Sequence, residues 1–288
     1  MRPYRVVDVF AATPLRGNPL AVIFDAEGLS DEEMQSIAAW TNLSETTFCL
    51  PPTKEGADYR VRIFTPRDEL PFAGHPTLGT AHALMEAGLI TPGDGAVTQE
   101  CAVGLVRVEV GEEAGARTRA FDLPTPTIRD LSDDETKRLI GILGQPVAKG
   151  TVPALVDVGA RWVVAELESA EVVIDLCPDY IASAVFENDL KVSGVTIFGP
   201  HTTGDTGIEV RSFAPSSGIE EDPVCGSGNG SVAAYRLHAG RMAAGHDYRA
   251  AQGRCVGRAG QIYVKTTEAA RIQVGGAAVT TVTGTIAL

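Results

Sequence analysis

The chain has 288 residues, enough for one large domain or for two of roughly 130 to 150 residues with their own cores. A net charge of −13 disfavours nucleic acid and anionic membrane as partners, and no apolar run approaches the roughly 20 residues of a membrane span. Five scattered cysteines, with no Cys-x-x-Cys pair and no histidines at ligand spacing, point to a reducing cytoplasm and away from structural zinc.

The N-terminal segment MRPYRVVDVF starts as a strand, without the apolar core of a signal peptide. Short β-rich segments follow along the whole chain, among them LAVIFD, TTFCL, YRVRIF, LVRVEV, RWVVAEL, VTIFG, IEVRSF, QIYVK and TTVTGTIAL. Gly, Pro and Asp punctuate them as in hairpins and barrels. Two segments carry a Ser-x-x-Glu capping box, Ser30 to Glu33 and Ser132 to Glu135, and each predicts a helix start. The remaining helices are expected in two segments that resemble each other. A pair of prolines in FDLPTPTIRD, near residue 125, marks the seam between two halves.

Those two segments are RVRIFTPRDELPFAGHPTLGTAHALMEAG (60–88) and EVRSFAPSSGIEEDPVCGSGNGSVAAYRLHAG (209–240). At an offset of 149, Val61/Val210, Arg62/Arg211, Phe64/Phe213 and Pro66/Pro215 coincide. After a three-residue insertion, Pro71/Pro223, Gly74/Gly226, Ala81/Ala233, Ala87/Ala239 and Gly88/Gly240 coincide at 152. The shared order of strand, acidic loop, Gly and small-residue helix reads as an internal duplication. Both helices show Gly, Ala, Ser and Thr on nearly every face, where a surface helix would show a charged stripe. Such a helix fits inside a β-structure. Its Gly-preceded start offers free N–H groups and a positive dipole end, the makings of a carboxylate site. One such helix in each half leaves room for a shared cleft.

Four blocks, VDVFAATPLRGNPLAV, NLSETTF, RIFTPRDELPFAGHPTLGTA and EDPVCGSGNG, resemble the PhzF family of phenazine-biosynthesis-like isomerases. The resemblance covers essentially the whole chain and extends to the wider diaminopimelate epimerase-like superfamily. It implies an α+β fold of two similar domains, each a curved β-barrel around a central helix, with the active site between them. The first would hold residues 1–124 and a C-terminal strand at about 277–288, the second residues 125–276. A homodimer is also implied, with no organic cofactor and no metal.

The resemblance places a proton-moving glutamate at Glu45 and further catalytic groups at His75 and Asp222. Ser227 and the helix-start glycines Gly74 and Gly226 would bind the substrate. Asn18 and Ser44 are weaker candidates for lining the pocket, since a turn residue and a cap would look the same. Cys225 stands where the family commonly has Thr. In the racemase relatives this position is one of two catalytic cysteines, but the other would fall at Ala73, which exchanges no proton. A Glu45/Cys225 pair therefore stays open, as does Cys225 as a packing substitute. His82 reads as structural, and Cys49, Cys101, Cys177 and Cys255 as packing residues. As a base, Glu45 would need its pKa raised by burial. The expected activity is isomerisation of a small carboxylic or amino acid by general acid/base catalysis, in the cytoplasm. Alternatives are a Cys225-dependent racemase or dehydratase, a cysteine hydrolase, and a non-catalytic carboxylate-binding protein.

Overall fold

A computed structural model describes residues 1–113, 115–204 and 206–288. In chain order the first half contains β1 (Arg2–Val9), β2 (Asn18–Ile23), α1 (Asp31–Thr41), β3 (Glu45–Leu50), β4 (Tyr59–Phe64), β5 (Glu69–Leu70), α2 (Gly74–Glu86), β6 (Ala96–Cys101), β7 (Gly104–Glu113) and β8 (Ala116–Asp122). Then come β9 (Thr127–Asp130), α3 (Asp133–Leu143), β10 (Ala154–Asp157), β11 (Arg161–Glu166), α4 (Ala170–Asp175), α5 (Tyr180–Leu190), β12 (Gly194–Pro200), β13 (Ile208–Ala214) and β14 (Ile219–Asp222). The chain ends with α6 (Gly226–His238), β15 (Tyr248–Gln252), β16 (Gly260–Thr266) and β17 (Ile272–Ile286). It divides into two compact units, residues 1–121 with 275–288 and residues 122–274.

In the first unit, hydrogen bonding runs β1–β2–β3–β4–β6–β7–β8–β17 and returns to β1, closing a barrel. Helix α2 lies inside it, packed on β1, β2, β3, β6 and β7. Every α2 residue from His75 to Leu84 is buried. The small side chains are a steric requirement: a Cβ on Gly79 would lie 2.6 Å from Leu20 Cδ2 and 2.8 Å from Val9 Cγ2. Helix α1, closed by the Ser30/Glu33 capping box, instead sits outside, its Met34, Ile37 and Ala38 against Ile23, Phe48 and Phe64.

The second unit repeats the plan. Its pairings run β9–β10–β11–β12–β13–β15–β16, and α6 packs on β10, β11, β12 and β16. The duplication is carried in the pairing itself. β2–β3 and β11–β12 are parallel, as are β4–β6 and β13–β15, while β4–β5 and β13–β14 are antiparallel hairpins. Each hairpin is braced by one bidentate ion pair, Arg62 to Glu69 and Arg211 to Glu221. Helices α3 and α5 seal the outer face through Leu139, Ile142, Leu143 and Phe186.

Three features differ from the expectations. Helices α4 and α5 lie outside the expected helical segments; Ser169 and Asp179 cap their starts through the N–H groups of Val172 and Ala182. Strands β6 (AVTQEC) and β15 (YRAAQ) lie outside the expected strand segments, as they lack an alternating apolar pattern. Cys177 and Cys255 are exposed and so contribute no core packing. No helix among the described residues is long and apolar enough to cross a membrane.

The buried helix makes a direct prediction. Gly79→Ala should lower the urea midpoint, overpacking of this kind costing about 1–3 kcal/mol. Gly141→Ala on α3, whose added Cβ meets nothing within 4 Å, should raise stability by roughly 0.5–1 kcal/mol through helix propensity. Equal effects from the two would contradict the crowding described.

Candidate active site

In the first unit, parallel pairing of β2 with β3 sets Leu20 beside Glu45, which brings Asn18 and Ser44 to the same strand ends. Glu45 is the first residue of β3, not a loop residue, and its side chain is 17% exposed. Asn18, at the start of β2 opposite Val9, is fully buried, and Ser44 is half-buried. Helix α2 opens beside them. Its N-cap is Ala73, which has no side chain able to accept a hydrogen bond, and Pro76 removes one further N–H. The first-turn donors of Gly74 and His75 therefore have no side-chain cap.

His75 Nδ1 lies 3.4 Å from Glu45 Oε2. Burial pushes the His75 pKa down to about 3, so the imidazole is neutral near pH 7 despite the adjacent carboxyl group. A neutral ring with Nδ1 turned to a carboxyl group is not half of an ion pair. Its Nε2 is buried and has no hydrogen-bond partner among the described residues. His82, one helical stretch further in, bonds the Thr280 hydroxyl at 3.1 Å and belongs to the barrel interior, as expected of a structural histidine.

The second unit assembles Asp222, Cys225, Gly226 and Ser227 on the corresponding helix start. Asp222 closes strand β14, where an acidic loop was expected; the β13–β14 hairpin pairs Ser212 with Asp222. Its Oδ1 accepts the Val224 N–H at 3.0 Å. Withdrawal of the carboxyl from water raises its pKa to about 6, helped by the charge of Glu221 and opposed by hydrogen bonds from the Val224 N–H and the Cys225 side chain. Cys225 is the N-cap of α6, its Sγ accepting the Gly228 N–H at 3.3 Å and lying 3.6 Å from Ser227 Oγ. The sulfur thus occupies the place a Thr hydroxyl takes in ordinary capping. Ser227, half-buried, receives the Trp162 indole N–H at 3.1 Å.

Several supporting residues went unread in the sequence. Gln99 on β6 donates to Thr77 of α2 and accepts from the Tyr59 hydroxyl. Gln252 on β15 and Asn229 on α6 bond each other and the segment ahead of α6. The available signal was a lone glutamine in a strand after each copy of the repeat. Among the described residues no group of three or more His, Cys, Asp or Glu side chains is arranged to hold a metal.

A model of phenazine biosynthesis-like proteins matches residues 7–284. The chain belongs to the PhzF family. Trans-2,3-dihydro-3-hydroxyanthranilate isomerase of Pseudomonas fluorescens is 36% identical over 294 residues, covering all of both chains. Antisense-enhancing sequence 1 of Schizosaccharomyces pombe is 40% identical, over 98% of this chain and 97% of its own. The crystal structure of a Bacillus anthracis PhzF-family protein superposes with a TM-score of 0.88 at 25% identity, covering 100% of this chain and 99% of that one. A PhzF fold with relatives of this kind makes the protein an isomerase.

The Asp222 environment predicts a stability signature. A carboxyl whose folded pKa is raised binds its proton in the native state while the unfolded chain has lost it, so stability falls as pH rises from about 4 to about 6. Asp222→Asn keeps the acceptor for Val224 and removes the charge. Its melting temperature should exceed the wild-type value at pH 8, with the difference vanishing near pH 4. A variant less stable than wild type at pH 8 would contradict the assigned burial.

Proposed function

We propose that this isomerase moves a proton on a small carboxylate-bearing substrate, with Glu45 as the proton carrier. The observation that carries the reading is the pairing of Glu45 with a buried, neutral His75 at an α2 start that has no side-chain cap. Glu45 takes a proton from one carbon of the substrate. The electron pair shifts through an adjacent double bond, and the proton returns at a second carbon. No net oxidation occurs, and no group leaves. The N–H groups of Gly74 and His75 are suited to a carboxylate, and dipoles fixed beforehand stabilise the charge that develops as the carbon loses its proton.

His75 in its neutral form faces Glu45 with Nδ1 at 3.4 Å and has Nε2 available for a hydrogen bond to substrate. Asp222, with a pKa near 6, exchanges between acceptor and donor around neutrality, which suits contact with a substrate amine or hydroxyl. Ser227 and Gly226 complete the binding groups of the second unit. The identity to isomerases named for trans-2,3-dihydro-3-hydroxyanthranilate makes that compound, a ring carrying amine, hydroxyl and carboxylate, the first substrate to try. A second reading gives the proton transfer to Cys225. Its hydrogen bond to Asp222 supports this, whereas its capping contact with Gly228 supports a structural task.

Two variants separate these readings. In heavy water, Glu45→Gln should lose solvent deuterium incorporation into trans-2,3-dihydro-3-hydroxyanthranilate by about 10²- to 10⁴-fold, with substrate affinity nearly unchanged. Undiminished exchange would remove Glu45 from the reaction. Cys225→Thr should keep exchange within about threefold of wild type, since Thr caps helices well. Collapse of exchange in that variant would favour the thiol.

A further inference from the structure

We propose that Gln252 is a positioning residue that sets Asp222 and the first turn of α6. The proposal rests on the reading of Asp222 as a substrate-contacting group. Gln252 is the last residue of β15 and is 1% exposed. Its side-chain carbonyl accepts the Cys225 N–H at 3.1 Å and the Asn229 Nδ2 at 2.7 Å. Its amide donates to the Asp222 carbonyl at 3.1 Å. One side chain thus grips both ends of the Asp222–Cys225 segment, and Asn229 closes the ring by donating to the Cys225 carbonyl at 2.9 Å.

The backbone around Gln252 is shaped to the same segment. Gly253, at φ +99°, would carry a Cβ 2.4 Å from the Pro223 carbonyl oxygen. Gly260, the antiparallel partner of Gln252, would carry one 2.4 Å from Val224 Cγ2. Any side chain at either position would lift the segment off the strand ends. The first unit provides the contrast. Gln99 donates to Thr77 inside α2 and accepts from Tyr59, and among the described residues its side chain makes no hydrogen bond to the 70–73 segment. A general requirement of the barrel would call for the same grip in both copies. Among the described residues, the copy with an acidic residue at the helix entrance has it and the other does not.

Around Asp222, among the described residues, are Glu221, held by Arg211, and exposed Glu220 on its own strand, and Cys225 at the start of α6. Freeing the segment would admit water to Asp222 and return its titration toward the ordinary aspartate range. It would also misplace the carboxyl, and errors of about 1 Å in positioning cost up to roughly 100-fold in rate.

The test uses the full chain labelled with ¹³C-aspartate, Asp222 being assigned by comparison with Asp222→Asn. Gln252→Met, nearly isosteric but without the hydrogen bonds, should lower the Asp222 titration midpoint by about half a unit or more. Its kcat on trans-2,3-dihydro-3-hydroxyanthranilate should fall about tenfold or more with KM within about threefold. Gln252→Glu, whose buried carboxyl stays protonated and keeps both a carbonyl acceptor and an O–H donor, should restore both properties at pH 6. A folded Gln252→Met with a wild-type Asp222 midpoint, or a Gln252→Glu as impaired as Gln252→Met, would overturn the proposal. A wild-type chain inert toward that substrate would count against the proposed function alone, and the carboxyl titration would still decide the role of Gln252.

Discussion

A helix enclosed by strands has no solvent-facing stripe, and that constraint organises this protein. α2 buries ten consecutive residues, and none of them is Asp, Glu, Lys or Arg. Polar groups along it are tied to the wall, as Thr80 is to Thr47 and His82 to Thr280. What the helix can still offer is its first turn, where backbone N–H groups and the dipole end emerge together. The chemistry proposed for the first unit is set there because the rest of α2 is enclosed. The same enclosure desolvates His75 and keeps its ring neutral, so the His–Glu contact is not an ion pair.

Duplication supplied a second copy of this frame, and the copies diverged at the helix entrance while keeping their support. The bidentate Arg–Glu brace survives in both hairpins, and so does the strand glutamine that reaches the fourth helix residue. At the N-cap the two units part company. Ala73 leaves the first turn of α2 without a side-chain cap, whereas the Cys225 sulfur caps α6. The acidic groups also differ in origin: Glu45 comes from a neighbouring strand, Asp222 from the hairpin that feeds the helix. One scaffold thereby carries two unlike sets of functional groups.

Much of this was legible beforehand, for identifiable reasons. Capping boxes at Ser30 and Ser132 are local and unambiguous, and both helices start where they indicate. The small-residue composition of Gly74–Glu86 and Gly226–His238 reports burial on all sides, which is a property of each helix alone. Residues whose role depends on a distant strand were hidden. Gln252 looks like any polar residue until β15 is laid parallel to β13, and Trp162 until its indole meets Ser227. α4 was masked by valines and isoleucine that favour strands in isolation. That Glu45 and His75 meet at 3.4 Å also could not be read from residues thirty positions apart; the motif resemblance named them, and the barrel brings them together.

The neutral state of His75 is the hinge of the account, because it decides whether Glu45 faces a neutral ring or a fixed positive charge. ¹⁵N-histidine NMR of the intact chain, with His75 assigned by substitution, reads that state directly. The ring is predicted to remain neutral from pH 8 down to at least pH 5, consistent with a pKa pushed down to about 3 by burial. An imidazolium forming near pH 6.5 would mean that the two side chains make an ion pair, and the proton-carrier role given to Glu45 would fall with it.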